Sequence, residues 1–80
     1  MKYTPAQLGE LIRETRNTLG LTQERLAMVA GTGLRFIIDL EKGKPTCQLG
    51  LALTVLNTLG IKITLTSPVA EVRENMPAEP

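Results

Sequence analysis

Residues 21–43 read LTQERLAMVAGTGLRFIIDLEKG, and this stretch decides how the rest of the chain is to be read. Thr22 stands where a helix begins: its hydroxyl can accept from the backbone amide of Glu24 or Arg25, a donor that the first turn leaves orphaned. Leu26, Ala27 and Ala30 recur on one face of that helix, and they are slim enough for a second helix to cross closely. Gly31 follows at once, where a sharp exit calls for a left-handed backbone, and Gly33 restarts the chain one residue after Thr32. A second helix over 34–42 then has its core anchors at Ile37 and Leu40. It stops at Gly43, with Lys42 and Lys44 beside its negative end.

Two short helices joined by so tight a turn form a helix-turn-helix, in which the second helix is the one offered to DNA. Its outward face begins with Leu34 and Arg35 and continues to Ile38, Asp39 and Lys42. Arg35 is the side chain expected to read a base, because its fork can bond guanine O6 and N7 together. Leu34 and Ile38 are expected to pack against thymine methyls, and Lys42 and Lys44 to hold phosphates, which orients the protein without reading sequence. Lys42 can equally serve only to complement the helix end. Phe36 is expected to be a buried or half-buried anchor.

The residues that carry this pattern resemble a known family. Thr22-Gln23-Glu24, Leu26-Ala27, Ala30-Gly31, Ile37 and the run from Leu40 through Glu41, Lys42, Gly43 and Lys44 to Pro45 are similar to the lambda-repressor-like, or XRE, class of helix-turn-helix proteins. Arg35-Phe36-Ile37, then Leu40-Glu41, Gly43-Lys44-Pro45-Thr46, and Leu59-Gly60-Ile61 before a terminal strand look like the HipB-type antitoxins within that class. The resemblance covers residues 6–66. It implies a dimeric repressor that controls its own toxin-antitoxin operon and binds a HipA-like serine/threonine kinase toxin. It also implies that Gln23 bonds a phosphate or supports the recognition helix; the plain alternative is a helix-start residue facing water. Leu34 and Ile38 stand where many relatives carry polar base-reading side chains, so no operator sequence carries over. The expected DNA-binding set is therefore Gln23, Gly33, Leu34, Arg35, Ile38, Asp39, Lys42 and Lys44.

Working outward, Thr4-Pro5-Ala6-Gln7 has the form of a capping box, with Pro5 at the first helical position. Leu8, Leu11, Ile12, Thr15 and Leu19 recur at helical spacing before Gly20 stops the helix. Arg13 and Arg16 are expected on its outer side with Glu10 and Glu14, solvated or touching phosphate. Pro45 bars continuation of the recognition helix, and Thr46 is expected to cap the last one. Leu49, Ala52, Leu53, Leu56 and Leu59 are its expected core stripe, which leaves Leu51 and Val55 for a subunit contact.

Ile61-Lys62-Ile63-Thr64-Leu65-Thr66 alternates apolar and polar, rich in β-branched residues, as a strand does. The chain offers no second strand. The expected partner is the same strand of a second subunit across a two-fold axis, with Ile61, Ile63 and Leu65 joining Leu51 and Val55 in the dimer interface; the alternative is an extended tail packed on its own helix. The fold expected is mainly α: a lambda-repressor-like bundle of four to five helices, with one C-terminal β-strand pairing across a homodimer.

The composition bounds the rest. Eighty residues make one small domain, near the size at which a core needs help, which a dimer supplies. Residues 1–66 hold eight basic against five acidic side chains, whereas 67–80 hold Arg73 against Glu71, Glu74 and Glu79. The DNA-binding and dimerisation domain is thus expected over 1–66, at +3, and a flexible acidic tail over 67–80, at −2. Cys47 is the single cysteine, expected as a small residue in a helix's first turn, so no internal disulfide forms and a reducing cytosol is the natural compartment. No signal peptide follows Met1, and no apolar run approaches the roughly 20 residues of a membrane span. The expectation is a cytoplasmic protein, at the nucleoid when on its operator, without membrane partners. With no His, one Cys and no metal-ligand cluster, neither enzyme activity nor a cofactor or metal is expected. A reading from another class remains: a protein-interaction module whose helix-turn-helix is only scaffold, kept open by the apolar Leu34 and Ile38. A stand-alone regulator without a toxin is the third.

Overall fold

Thr4 accepts from the Gln7 amide at 3.1 Å while the Gln7 side-chain oxygen accepts from the Thr4 amide at 2.9 Å, so the capping box sets the start of the first helix. In the computed structural model, which describes residues 3–65, 67 and 68, four helices follow in order. They are α1 (Pro5–Thr18), α2 (Gln23–Ala30), α3 (Leu34–Glu41) and α4 (Leu49–Thr58). Thr22 caps α2 through a bond from the Arg25 amide at 3.0 Å.

The exits are uniform. Gly31 takes φ +75°, and the amides of Gly31 and Thr32 turn back to the carbonyls of Met28 and Ala27 at 3.3 and 2.9 Å. The same pair of bonds closes α3 at Gly43, where Gly43 and Lys44 donate to Leu40 and Asp39 at 3.1 and 3.0 Å. Carbonyls that a helix end leaves unpaired are thereby satisfied within the chain.

α3 packs on α1 and α2, and α4 packs on α2. Ile12, Leu26, Ile37 and Val55 are fully buried at the centre, with Leu56, Leu40, Ala27, Ala52 and Leu59 around them. Leu8, Leu21, Ala30, Phe36, Cys47 and Ile61 cover the edges of this core. Each fully buried aliphatic side chain contributes roughly 1.5–3 kcal/mol, which is how a domain this small holds four helices together.

Several expectations give way to packing. Leu19 lies outside the core, 55% exposed, because it forms the C-cap of α1. Arg16 is buried instead of solvated, sharing the inner face of α1 with Gly9 and Ile12. The last helix starts at Leu49 after Gln48, so Thr46 is not its cap, and Cys47 precedes the helix, half-buried. Val55 is fully buried within its own chain and has no surface to give a partner, whereas Leu49 and Leu53, expected inside, are exposed. Leu51 is half-buried. α4 is apolar over a wide arc opposite Gly50, Thr54, Asn57 and Thr58; the middle of that arc, Ala52, Val55 and Leu56, is buried, and its flanks at Leu49 and Leu53 are left outside. Residues 61–65 form no strand among the described residues: Ile61 leans on the core, while Ile63 and Leu65 stand out from it. Thr66 and the tail beyond Pro68 lie outside the described residues.

Candidate nucleic-acid interface

α3 divides into two faces. Ile37 and Leu40 are driven into the core, and one turn apart on the other side Leu34 and Arg35 are exposed, with Ile38 and Asp39 half-exposed beside them. Gly33 is the N-cap and supplies no side-chain bond, so the start of α3 is left sterically open. Lys42 caps the other end, exposed, and Lys44 follows the turn at Gly43. The sequence-predicted set thus comes together along one helix face and its two ends, with Gln23 as the exception.

Gln23 faces inward toward α3. Its Nε2 donates to Glu41 Oε1 at 3.1 Å, so it supports the recognition helix and does not simply face water. Glu41 is the hub of this end. Arg16 Nε donates to its Oε2 at 2.6 Å and Arg16 Nη2 to its Oε1 at 3.1 Å, while Arg16 Nη1 reaches the Leu21 carbonyl at 2.8 Å. The side chains of Arg16 and Glu41 are 11% and 3% exposed, so a fork-to-carboxylate pair is sealed beneath the surface. One guanidinium therefore ties α1, the loop into α2 and the last residue of α3 together. Sequence reasoning put Arg16 on the outer side of α1 and gave Glu41 no role beyond its place in the family motif. The available signal was that Gly9, Ile12 and Arg16 share one face of α1 at spacings of three and four.

Gly9 completes the seat of α3. A Cβ there would meet the carbonyl oxygens of Leu40 and Glu41, the latter at 2.6 Å, so the backbones of α1 and α3 can approach this closely only without a side chain. The face of α1 that carries Gly9 also meets Gly43, whose Cβ would come to 2.6 Å from Ala6 Cα.

On the presented face, Asp39 lies between two cations. Arg35 Nε is 3.6 Å from Asp39 Oδ1 and Lys44 Nζ is 3.6 Å from Asp39 Oδ2. The arrangement offers a forked donor, two apolar side chains and two ammonium groups to a ligand, on a helix whose back is fixed. It holds no acid-base pair or nucleophile set, and among the described residues no cluster of three or more His, Cys, Asp or Glu is placed to hold a metal. Nor is any described helix long and apolar enough to cross a membrane.

An exposed second helix held by a tight glycine turn over a buried partner helix defines a helix-turn-helix protein. The chain belongs to the helix-turn-helix family designated HTH_3, whose profile matches residues 12–65, and it is a DNA-binding transcriptional regulator. It is 55% identical over 65 residues to the uncharacterized HTH-type transcriptional regulator y4mF of Sinorhizobium fredii, covering 81% of this chain and 86% of that one. An uncharacterized HTH-type transcriptional regulator of Methanothermobacter thermautotrophicus is 50% identical over 50 residues, 62% of this chain and 72% of that one. Among solved structures, the fold is similar to that in the HipA-HipB-O2-O3 complex, with a TM-score of 0.74 and 26% identity over 85% of this chain and 96% of that chain. The HipB-O4 20mer complex gives the same TM-score, identity and coverage. The HipB-like character expected from the sequence is therefore present in the fold.

Proposed function

We propose that this protein is a dimeric, sequence-specific repressor, the antitoxin of a HipA/HipB-like toxin-antitoxin operon that represses its own promoter. The observation that carries the DNA-reading part is the split character of α3, with Leu34, Arg35 and Ile38 presented and Ile37 and Leu40 buried behind them. Arg35 bonds guanine in the major groove, Leu34 and Ile38 contact thymine methyls, and Lys42 and Lys44 hold phosphates. Gln23 contributes through α3, since its amide nitrogen donates to Glu41 at 3.1 Å and braces the helix that meets the duplex.

The dimer is supported by apolar surface left open at one end of the molecule. Tyr3, Leu8, Leu11, Leu53, Ile63 and Leu65 line a groove of about 750 Å³ between α1, α4 and the extended residues 61–65. Leu65 is 86% exposed and Ile63 50%, and both are continuous with the apolar lining of this groove. A second copy pairing along 61–65 would cover Ile61, Ile63, Leu65 and the α4 side chains Leu49 and Leu53, which line the same groove, with Leu51 at the far edge of α4 as a further contact.

The toxin partnership rests on likeness to the HipA-HipB complex, with the outer face of α1 and the tail as available surfaces. Titrating an inverted-repeat duplex at rising salt tests the DNA-reading function. Tight binding that weakens steeply as counterions compete supports it; salt-insensitive binding confined to protein partners would favour an interaction module. Finding a HipA-like kinase encoded beside the gene, and its co-purification with this protein, tests the toxin partnership separately.

A further inference from the structure

Asp39 puts a negative charge on the face that would meet a polyanion, and it is only 22% exposed between Arg35 and Lys44, whose side chains are 76% and 55% exposed. Both contacts follow from the backbone. Arg35 lies one helical turn before Asp39 on the same face of α3. Lys44 is returned to Asp39 by the left-handed turn at Gly43, φ +82°, which lets the Lys44 amide donate to the Asp39 carbonyl at 3.0 Å.

We propose that Asp39 is the positioning residue for base readout: its ion pair at 3.6 Å to the Nε edge of Arg35 leaves the two terminal nitrogens for a guanine, while Lys44 offsets its charge. The role rests on the DNA-reading function above and names what makes that reading selective. An arginine as exposed as Arg35 samples many rotamers, and ordering it on the duplex opposes binding; a carboxylate that restricts it beforehand reduces that loss. The same carboxylate repels phosphates of any sequence. Asp39 thus lowers affinity for arbitrary DNA while raising discrimination, which is how a repulsive element confers specificity.

The test compares wild type, Asp39→Ala, Arg35→Ala and the double variant on a randomised duplex library and on one arbitrary duplex of fixed sequence. Asp39→Ala should bind the arbitrary duplex more tightly, yet lose about 2- to 5-fold in preference for the selected site, the range an exposed ion pair gives. The loss should fall at the base pair that Arg35→Ala also flattens, and should vanish when Arg35 is already alanine. Flattening at a different base pair, independent of Arg35, would mean that Asp39 reads a cytosine amino group itself and would overturn the positioning role. Equal weakening on both duplexes, with a lower melting temperature, would reduce Asp39 to a structural part. A wild-type protein that selects no sequence would instead sink the DNA-reading function, and this role with it.

Discussion

Arg16 of α1 and Glu41, the last residue of α3, form a two-bond ion pair beneath the surface, so the recognition helix is held at its C-terminal end by the helix that opens the chain. Gln23 donates to the same carboxylate from the start of α2. Three helices thus converge on Glu41, and the orientation of the presented face depends on it.

Removing one partner leaves a buried charge uncompensated. Arg16→Ala or Glu41→Ala should each cost about 3–5 kcal/mol, measured by urea unfolding, whereas the apolar pair Arg16→Met with Glu41→Leu should recover much of the loss. Single variants as stable as wild type would show that the pair is open to water.

Gly9 sits where a methyl group has no room against the Leu40 and Glu41 carbonyls. Gly9→Ala should therefore destabilise by roughly 1–3 kcal/mol despite alanine's better helix propensity, and should weaken operator binding by shifting α3. A rise in melting temperature would mean that α1 is free to move away.

Arg35→Ala should lose roughly 1–3 kcal/mol on the specific site and flatten one base position, while Lys44→Ala should weaken all sequences alike. The half-sites should lie about 34 Å apart, one turn of the duplex. Equal loss on operator and random DNA after Arg35→Ala would remove it as a base reader.

Ile63→Asp and Leu53→Asp place a charge in the proposed subunit contact, and sedimentation should show monomer for both. Leu56→Ala, in the core, should instead cost about 2–5 kcal/mol in folding. Dimers that persist through both aspartate substitutions would move the interface elsewhere.

Deleting residues 68–80 should leave dimer and operator binding unchanged and alter toxin binding or the protein's lifetime in cells. Loss of DNA binding alone on truncation would place the tail within the DNA-binding domain.

The order of the helices and all their ends but the start of α4 were legible from the sequence because caps and exits are local. The Thr4 capping box, Thr22 and the glycines at 31 and 43 act within a few residues of themselves, and no distant contact is needed to fix them. The presented face of α3 was legible for a related reason: Ile37 and Leu40 lie opposite Arg35, Asp39 and Lys42, so burying the first two turns the others outward, with Leu34 and Ile38 carried along. What tertiary structure decided lies where the local pattern is degenerate or misleading. The apolar arc of α4 is too wide for its spacing to separate core from flank, and packing buried Val55 and exposed Leu53. Arg16 reads as a surface charge until a carboxylate 25 residues away arrives to pair with it, because a buried guanidinium is stable only with a partner that the sequence does not place beside it. Gly9 carries no signal in its own stretch of sequence, and its role is set by the backbone of α3 packed against it.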